Sequence, residues 1–208
     1  FTIIISRLIN KQQLGTEVIM RYTLRLLTTQ QFQRASGLIF ALEFMRRKGF
    51  FKDDGITHSE NPFTAGLWVG QSLTPNTFKD AKDMLTKLKD QKYAPNPFSV
   101  LECAWCKTSL AMDKYDGYKL TGTGKSAEFY FRCPERRCEF SDRIPVSVID
   151  EYLYKNPPTL LLGTVDKFAQ ISWRKEPANF FGKNTGKVPS LIIQDELHLI
   201  SGPLGSIV

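Results

Sequence analysis

Short apolar segments alternate with longer amphipathic segments along this chain, and this alternation limits the fold more than any other feature of the sequence. The short segments have the length and composition of buried strands and lie at residues 17–22, 66–70, 159–163 and 190–196. Residues 29–48 carry apolar side chains at helical spacing and end in three basic residues before Gly49. We therefore predict an α/β fold in which a mostly parallel sheet carries helices on both faces.

A smaller unit interrupts this alternation. Residues 76–92 form a second amphipathic segment, for which Asn76 is the predicted N-cap, and prolines at positions 95 and 97 end it. All four cysteines follow shortly afterwards. We therefore expect one α/β domain in two parts, residues 1–98 and 144–208, with an insertion at residues 99–143.

The cysteines form two closely spaced pairs. Two residues separate Cys103 from Cys106, and four separate Cys133 from Cys138. Spacing this short lets one tight turn direct two thiolates at the same ion, and two such turns complete the tetrahedral shell of a structural zinc. Alternating residues at 128–132 indicate hairpins between the pairs. The pattern predicts a closed zinc ribbon that depends on its metal to fold.

Two disulfide bonds are the alternative interpretation of the same cysteines. Disulfide bonds need an oxidising compartment. The apolar run at residues 1–5 has no basic region before it and is too short for a secretory signal. No apolar run approaches the roughly 18 residues of a membrane span. We therefore favour zinc and expect a cytoplasmic protein without a membrane partner.

The net charge of +7 is concentrated near the beginning of the chain. Residues 1–52 hold nine basic and two acidic side chains, a local excess of +7, so the remaining residues are neutral overall. A basic region of this kind favours contact with a polyanion such as nucleic acid, although a solvated face is the common alternative.

The last predicted strand ends in two carboxylates, Asp195 and Glu196. This is the arrangement of a Walker B strand, in which the first acid helps to hold Mg²⁺ on nucleotide phosphates and the second activates the attacking water. His198 would lie near the γ-phosphate. An exposed strand end that happens to be acidic is the alternative.

Two further strand ends carry residues suited to phosphate. In residues 20–32 a strand leads through a basic turn into a helix, so arginines, hydroxyls and helix amides converge. Residues 163–167 repeat this arrangement, although an ordinary helix start remains the alternative for the first segment. The predicted nucleic-acid contacts are Arg21, Thr23, Arg25, Thr28, Gly163, Thr164 and Lys167.

Taken in order, three segments resemble motifs of superfamily 2 helicases of the DExH type. Residues 20–32 are similar to motif Ia, residues 162–167 to motif Ic, and residues 195–198 to motif II. With residues 66–70 and 193–205, the similarity is closer to the helicases of bacterial DISARM anti-phage systems and covers nearly the whole chain. The resemblance implies a RecA-like fold, ATP and Mg²⁺ as cofactors, and a role in phage restriction. It implies DNA or RNA and other subunits of a defence complex as partners.

The sequence departs from that family in one respect. Its Walker A loop is not found, because the nearest candidate at residues 122–126 has Lys119 where the first glycine is required and lies between the cysteine pairs. The resemblance would place the loop before Phe1 and a second RecA-like domain after Val208. We therefore expect the fragment alone to be inactive.

Two other functions compete with an ATP-driven motor. The chain could be a zinc-ribbon module that binds nucleic acid or a partner protein and catalyses nothing. A glycine-rich loop encoded upstream of Phe1 would favour the motor. A metal hydrolase that uses His198 with the two acids is the weaker alternative, because His58 is the only other histidine.

Overall fold

A parallel β-sheet forms the centre of the molecule. The computed structural model describes residues 2–9, 15–23, 25–50, 61–90, 96–122 and 127–200. The strands of the central sheet are β1 (Val18–Tyr22), β2 (Ala65–Trp68), β5 (Val146–Ser147), β6 (Leu160–Thr164) and β7 (Leu191–Gln194). Within the described residues their order is β5-β2-β6-β1-β7, and every neighbouring pair is parallel. The predicted α/β fold is therefore confirmed.

Helices connect and cover these strands. They are α1 (Thr2–Ile9), α2 (Arg25–Lys48), α3 (Phe78–Asp90), α4 (Met112–Tyr115), α5 (Asp150–Lys155) and α6 (Val165–Ala169). Short 3₁₀ helices span Gln170–Ser172, Glu176–Phe181 and Leu197–Ile200. None of the helices in the described part of the chain combines the length and the apolar character needed to cross a membrane.

Two helix starts differ from the sequence prediction. Helix α2 begins at Arg25 and not at residue 29. The sequence prediction starts late because Thr28 and Thr29 interrupt the apolar spacing before Phe32, and Leu26 and Leu27 fall outside that spacing. Helix α3 is capped by Thr77 and not by Asn76. The Thr77 hydroxyl accepts a hydrogen bond from the Asp80 N–H at 3.1 Å, and the Asp80 carboxylate accepts one from the Thr77 N–H at 3.2 Å. This reciprocal pair is a capping box.

The two faces of the sheet have separate cores because side chains alternate along each strand. Ile19, Trp68 and Leu161 lie on one face and pack with residues of α5, α6 and the 3₁₀ helix at Glu176–Phe181. Val18, Leu67 and Leu162 belong to the larger core on the other face, together with residues of α2 and α3. Apolar side chains on both faces account for the nearly continuous apolar strands of the sequence.

The insertion contains a two-stranded antiparallel sheet. Strands β3 (Tyr118–Thr121) and β4 (Glu128–Phe131) pair in register, Tyr118 with Phe131 and Thr121 with Glu128. The ring of Phe129 stacks on Phe98 at a centroid distance of 4.7 Å. Since these side chains join the larger core, the insertion packs on the same side of the sheet as α2.

Candidate functional site

Three of the predicted segments meet at the carboxyl ends of adjacent strands. Arg21 near the end of β1 is aligned with Gly163 in β6 on one side and with Gln194 in β7 on the other. The Asp195 N–H donates a 3.0 Å hydrogen bond to the Arg21 carbonyl oxygen. The acidic pair and the basic segment therefore share one rim of the sheet, which we call the carboxyl edge. Open parallel sheets commonly bind ligands at this edge.

Arg21 is the predicted contact whose environment is most unusual. Its guanidinium lies 5.1 Å from the centre of the Phe168 ring, and burial lowers the pKa of the side chain. Nε and Nη2 are both buried, and neither has a hydrogen-bond partner among the described residues. A partly buried cation with unpaired donors is suited to an anionic ligand, which would supply both the missing acceptors and the counter-charge.

Further polar atoms at the carboxyl edge are buried and unpaired in the described part of the chain. They are the hydroxyls of Thr23 and Thr164 and the side-chain oxygen of Gln194. Leaving such an atom without a partner costs about 1–3 kcal/mol. Native proteins therefore satisfy these groups with water or a ligand, and their grouping around Arg21 marks the edge as a site for a polar ligand.

The acidic pair lies next to this group. Asp195 and Glu196 are half-buried, and the Glu196 N–H donates a 3.0 Å hydrogen bond to Asp195 Oδ1. Glu196 has a φ of 51°, a left-handed backbone that non-glycine residues rarely adopt and that is common at functional sites. His198 is exposed, and its Nε2 lies 3.2 Å from Glu196 Oε2. Burial, and after it the charge of Asp195, raises the pKa of Tyr22.

Lys167 and Gly163 are both buried near the carboxyl edge. Lys167 is only 2% exposed, and its amine forms an ion pair with Asp150 and a 3.3 Å hydrogen bond with Asn76. Burial raises the pKa of Asp150, and the Lys167 charge opposes this shift. Gly163 is buried where a Cβ atom would lie 2.9 Å from the Phe168 ring. The structure does not bring the Lys167 amine to the surface of the carboxyl edge.

Two predicted contacts and one P-loop candidate cannot be placed in full. Arg25 and Thr28 lie in the first turn of α2, but their side chains are outside the described residues. Residues 123–126 are outside them as well. Gln194 is a site residue that sequence reasoning missed, although a polar residue within an apolar strand, directly before two acids, was a usable signal.

The four cysteines come together in the insertion. Their sulfur atoms all lie within 4.8 Å of one another. Cys103 and Cys138 are 3.9 Å apart, Cys106 and Cys133 are 3.4 Å apart, and none is in a disulfide bond. Four thiolates at the usual Zn–S length of about 2.3 Å would be roughly 3.8 Å apart. The cluster therefore fits a tetrahedral zinc ion, and the disulfide alternative does not match the structure.

The cysteine environments are unequal. Burial acts to raise the pKa of Cys106, but its hydrogen bonds with Thr108, Cys133 and Cys138 together outweigh this and lower the value to about 7. The contact with the Thr108 hydroxyl is 3.2 Å long. Burial raises the pKa of Cys138 to about 11 and also raises that of Cys133. Metal binding requires all four groups as thiolates. Cys106 is the exposed member of the cluster and the thiol that loses its proton most readily among those with a shifted pKa.

The cysteine cluster is attached to the end of α2. Arg47 donates hydrogen bonds to the Asp142 carboxylate at 3.0 Å and to the Glu139 carbonyl at 3.1 Å. The rings of Phe40 and Phe140 make an edge contact at 4.5 Å, and Trp105 lies 4.8 Å from Phe44. The insertion is therefore fixed to the helix whose other end starts at the carboxyl edge.

Comparison with known proteins gives one clear similarity. No family model matches the chain. The chain is 35% identical, over an alignment of 229 residues, to the DISARM protein DrmA of Bacillus paralicheniformis. The alignment covers 93% of this chain and 20% of DrmA, so the chain spans about a fifth of the length of that relative. Over nearly all of its own length, this chain is similar to one portion of the DISARM protein DrmA.

Proposed function

We propose that the chain is part of an ATP-dependent helicase or translocase that acts on DNA in anti-phage defence. The relationship to a DISARM protein supports the defence role. The resemblance to helicase motifs Ia, Ic and II supports the motor activity. Both assignments concern a whole protein of which this chain is one portion.

One observation carries the proposal. The Asp195 N–H is bonded to the Arg21 carbonyl oxygen, so the acidic pair just after β7 lies at the same edge as Arg21 of the adjacent strand β1. Nε and Nη2 of Arg21 have no hydrogen-bond partner among the described residues. A motor needs a site for the magnesium-bound nucleotide and a site for the nucleic acid, and the two sites must be structurally coupled. Here a single backbone hydrogen bond joins the two candidate sites.

We assign the acidic residues as follows. Carboxylate oxygens are the ligands that Mg²⁺ prefers, and Asp195 is the proposed residue for the ion. Glu196 is the proposed general base, which orients and deprotonates the attacking water, and His198 holds the Glu196 carboxylate from the exposed side. Bound ATP with Mg²⁺ would supply the phosphoryl group and the charge that stabilises its transfer.

The nucleic-acid backbone is proposed to lie along the rest of the edge. Arg21 supplies charge, while Thr23 and Thr164 supply hydroxyls that lack partners among the described residues. Arg25 and Thr28, at the start of α2, are proposed to extend this line. Lys167 is proposed to position α6 through its ion pair, because its amine is too deeply buried to meet a phosphate.

Replacement of Glu196 by Gln in the full-length protein tests the proposal. The variant keeps the size of the side chain and removes the base, so ATP turnover should fall by at least about 100-fold while ATP binding is retained. Turnover is measured by phosphate release and binding by titration with a fluorescent ATP analogue. Glu176→Gln, at an exposed acid of a 3₁₀ helix, is the matched control and should leave turnover unchanged. Turnover of Glu196→Gln at the wild-type rate would show that the base is another residue.

The cysteine insertion is proposed to hold structural zinc. Its four thiolates would close the coordination shell and leave no position for a substrate. Because the insertion is hydrogen-bonded to and packed against the end of α2, we propose that it stabilises that helix. A zinc module without catalysis is the competing function, and loss of ATP turnover in Glu196→Gln would rule it out.

A further inference from the structure

Trp173 is a large apolar side chain that the fold leaves in solvent. It is 66% exposed and lies between α6 and the 3₁₀ helix at Glu176–Phe181. Arg174 and Lys175 follow it, and both are exposed. Neither cationic side chain makes a hydrogen bond or an ion pair with another residue in the described part of the chain. We call residues 173–175 the Trp173 turn.

The Trp173 turn is held by the backbone. The N–H groups of Trp173 and Arg174 donate hydrogen bonds of 3.1 and 2.9 Å to the Gln170 carbonyl oxygen. The backbone of the turn is therefore fixed by hydrogen bonds to the preceding 3₁₀ helix. The indole is exposed in this ordered conformation.

The turn is joined to the carboxyl edge by α6 and the short 3₁₀ helix at Gln170–Ser172, which follow strand β6 directly. Arg174 is near enough to the Asp150 carboxylate to lower its pKa, opposing the stronger effect of burial. Asp150 is the first residue of α5, just after β5, and pairs with Lys167 of α6. Helix α6 also carries Phe168, on which the Arg21 guanidinium rests.

The chemistry of the turn fits an unpaired nucleotide better than a protein surface. Stacking on an exposed aromatic ring is the usual way in which proteins hold bases of a single strand, and adjacent cations bind the phosphates. Protein interfaces instead place such aromatics within an apolar centre. Along the chain, the exposed neighbours of Trp173 are Ser172, Arg174, Lys175 and Glu176, and all four are polar.

We propose that the Trp173 turn is a stacking platform for a base of single-stranded DNA, with Arg174 and Lys175 on the flanking phosphates. The inference rests on the proposed function, because the strand that reaches the turn is the one that lies along the carboxyl edge. The platform would add a contact to a base, whereas the proposed contacts along the carboxyl edge are with the nucleic-acid backbone. Stacking on an aromatic ring depends little on which base is bound.

The test uses the full-length protein, loaded with a non-hydrolysable ATP analogue, and two fluorescently labelled probes of equal length. One probe is oligothymidine and the other is an abasic deoxyribose-phosphate strand, and affinity is measured by fluorescence anisotropy. Trp173→Ala should bind oligothymidine about 5- to 100-fold more weakly than the wild type and should bind the abasic strand nearly as well. Trp173→Phe keeps a ring and should retain most of the affinity. Leu101→Ala, at an exposed apolar residue of the insertion, is the matched control and should behave as the wild type.

The outcomes separate this inference from the function on which it rests. A wild-type protein that binds neither probe would overturn both. If the wild type binds oligothymidine and Trp173→Ala binds it equally well, only the stacking platform is wrong, even if that variant loses a protein partner. An equal loss on both probes would also contradict stacking, because the abasic strand offers nothing to stack.

Discussion

Arg21 and Lys167 are two cations near the same edge of the sheet, with opposite surroundings. Lys167 is neutralised by Asp150 and is almost fully buried. Arg21 rests on an aromatic ring and keeps two N–H-bearing nitrogens without partners among the described residues. A buried ion pair that loses one partner leaves an uncompensated charge, which destabilises the fold. Lys167 is therefore needed for stability and is not available to a ligand. Arg21 is therefore the cation available to an external anion.

Gly163 provides a test at the scale of one residue. A Cβ atom at this position would lie 2.9 Å from the Phe168 ring and 3.0 Å from the Trp68 carbonyl oxygen. Gly163→Ala should therefore lower the free energy of unfolding by about 1–3 kcal/mol through overpacking. Gly37→Ala is the control, because a Cβ there meets nothing within 4 Å in the middle of α2. The control should raise stability by about 0.5–1 kcal/mol. Denaturant unfolding measures both, and equal stability of the two variants would contradict the packing described for Gly163.

The role of Lys167 shows why sequence alone misplaces some site residues. A lysine just after a strand and a Gly-Thr pair matches the chemistry of a phosphate site. Its actual partners are Asp150, 17 residues earlier, and Asn76, 91 residues earlier. Only the tertiary fold brings these groups together, so no local sequence pattern around Lys167 indicates that they are close.

Among the elements, strands were easier to predict than helix starts. Strands β1 and β6 are apolar runs because both of their faces pack against other elements, and this signal is local. Strand β7 has the same apolar signal, although Ile192 and Ile193 are exposed. The first turn of α2 has no such signal, because Thr28 and Thr29 interrupt the apolar spacing of the helix. The strand order was also beyond prediction, since β1 lies between β6 and β7, which are more than 130 residues away along the chain. The cysteine spacing, in contrast, predicted all four members of the cluster.

The cysteine insertion gives a test at the scale of an element. Cys133→Ser removes one of four thiolates, so bound zinc and the unfolding temperature should fall together. Elemental analysis and thermal unfolding of the full-length protein measure the two quantities. Helix α2 should lose stability as well, because Arg47 is bonded to Asp142 of the insertion.

Ser141→Ala is the control for this experiment. Ser141 lies in the same insertion, and its backbone N–H, which the substitution keeps, donates to the Cys138 carbonyl oxygen at 3.0 Å. Its zinc content should equal that of the wild type. Unchanged zinc in Cys133→Ser would count against the four-thiolate site.

At the scale of the whole molecule, the carboxyl edge and the cysteine insertion are linked by one helix. Helix α2 starts at the edge beside Arg21 and ends among the residues that hold the insertion. The strongly basic first quarter of the chain includes both Arg21 and this helix. Arg21, the acidic pair and the buried polar groups without partners in the described part of the chain therefore meet at one edge, which is the central claim of the proposed motor.

The most direct test of that claim is the effect of single-stranded DNA on ATP turnover by the full-length Arg21→Gln variant. In the wild type, DNA should stimulate turnover. In the variant, the DNA-free rate and the unfolding temperature should stay near wild-type values while stimulation falls at least about tenfold, because the cation on the polymer side is lost. Stimulation of Arg21→Gln to the wild-type level would contradict the claim that this edge couples nucleic acid to ATP.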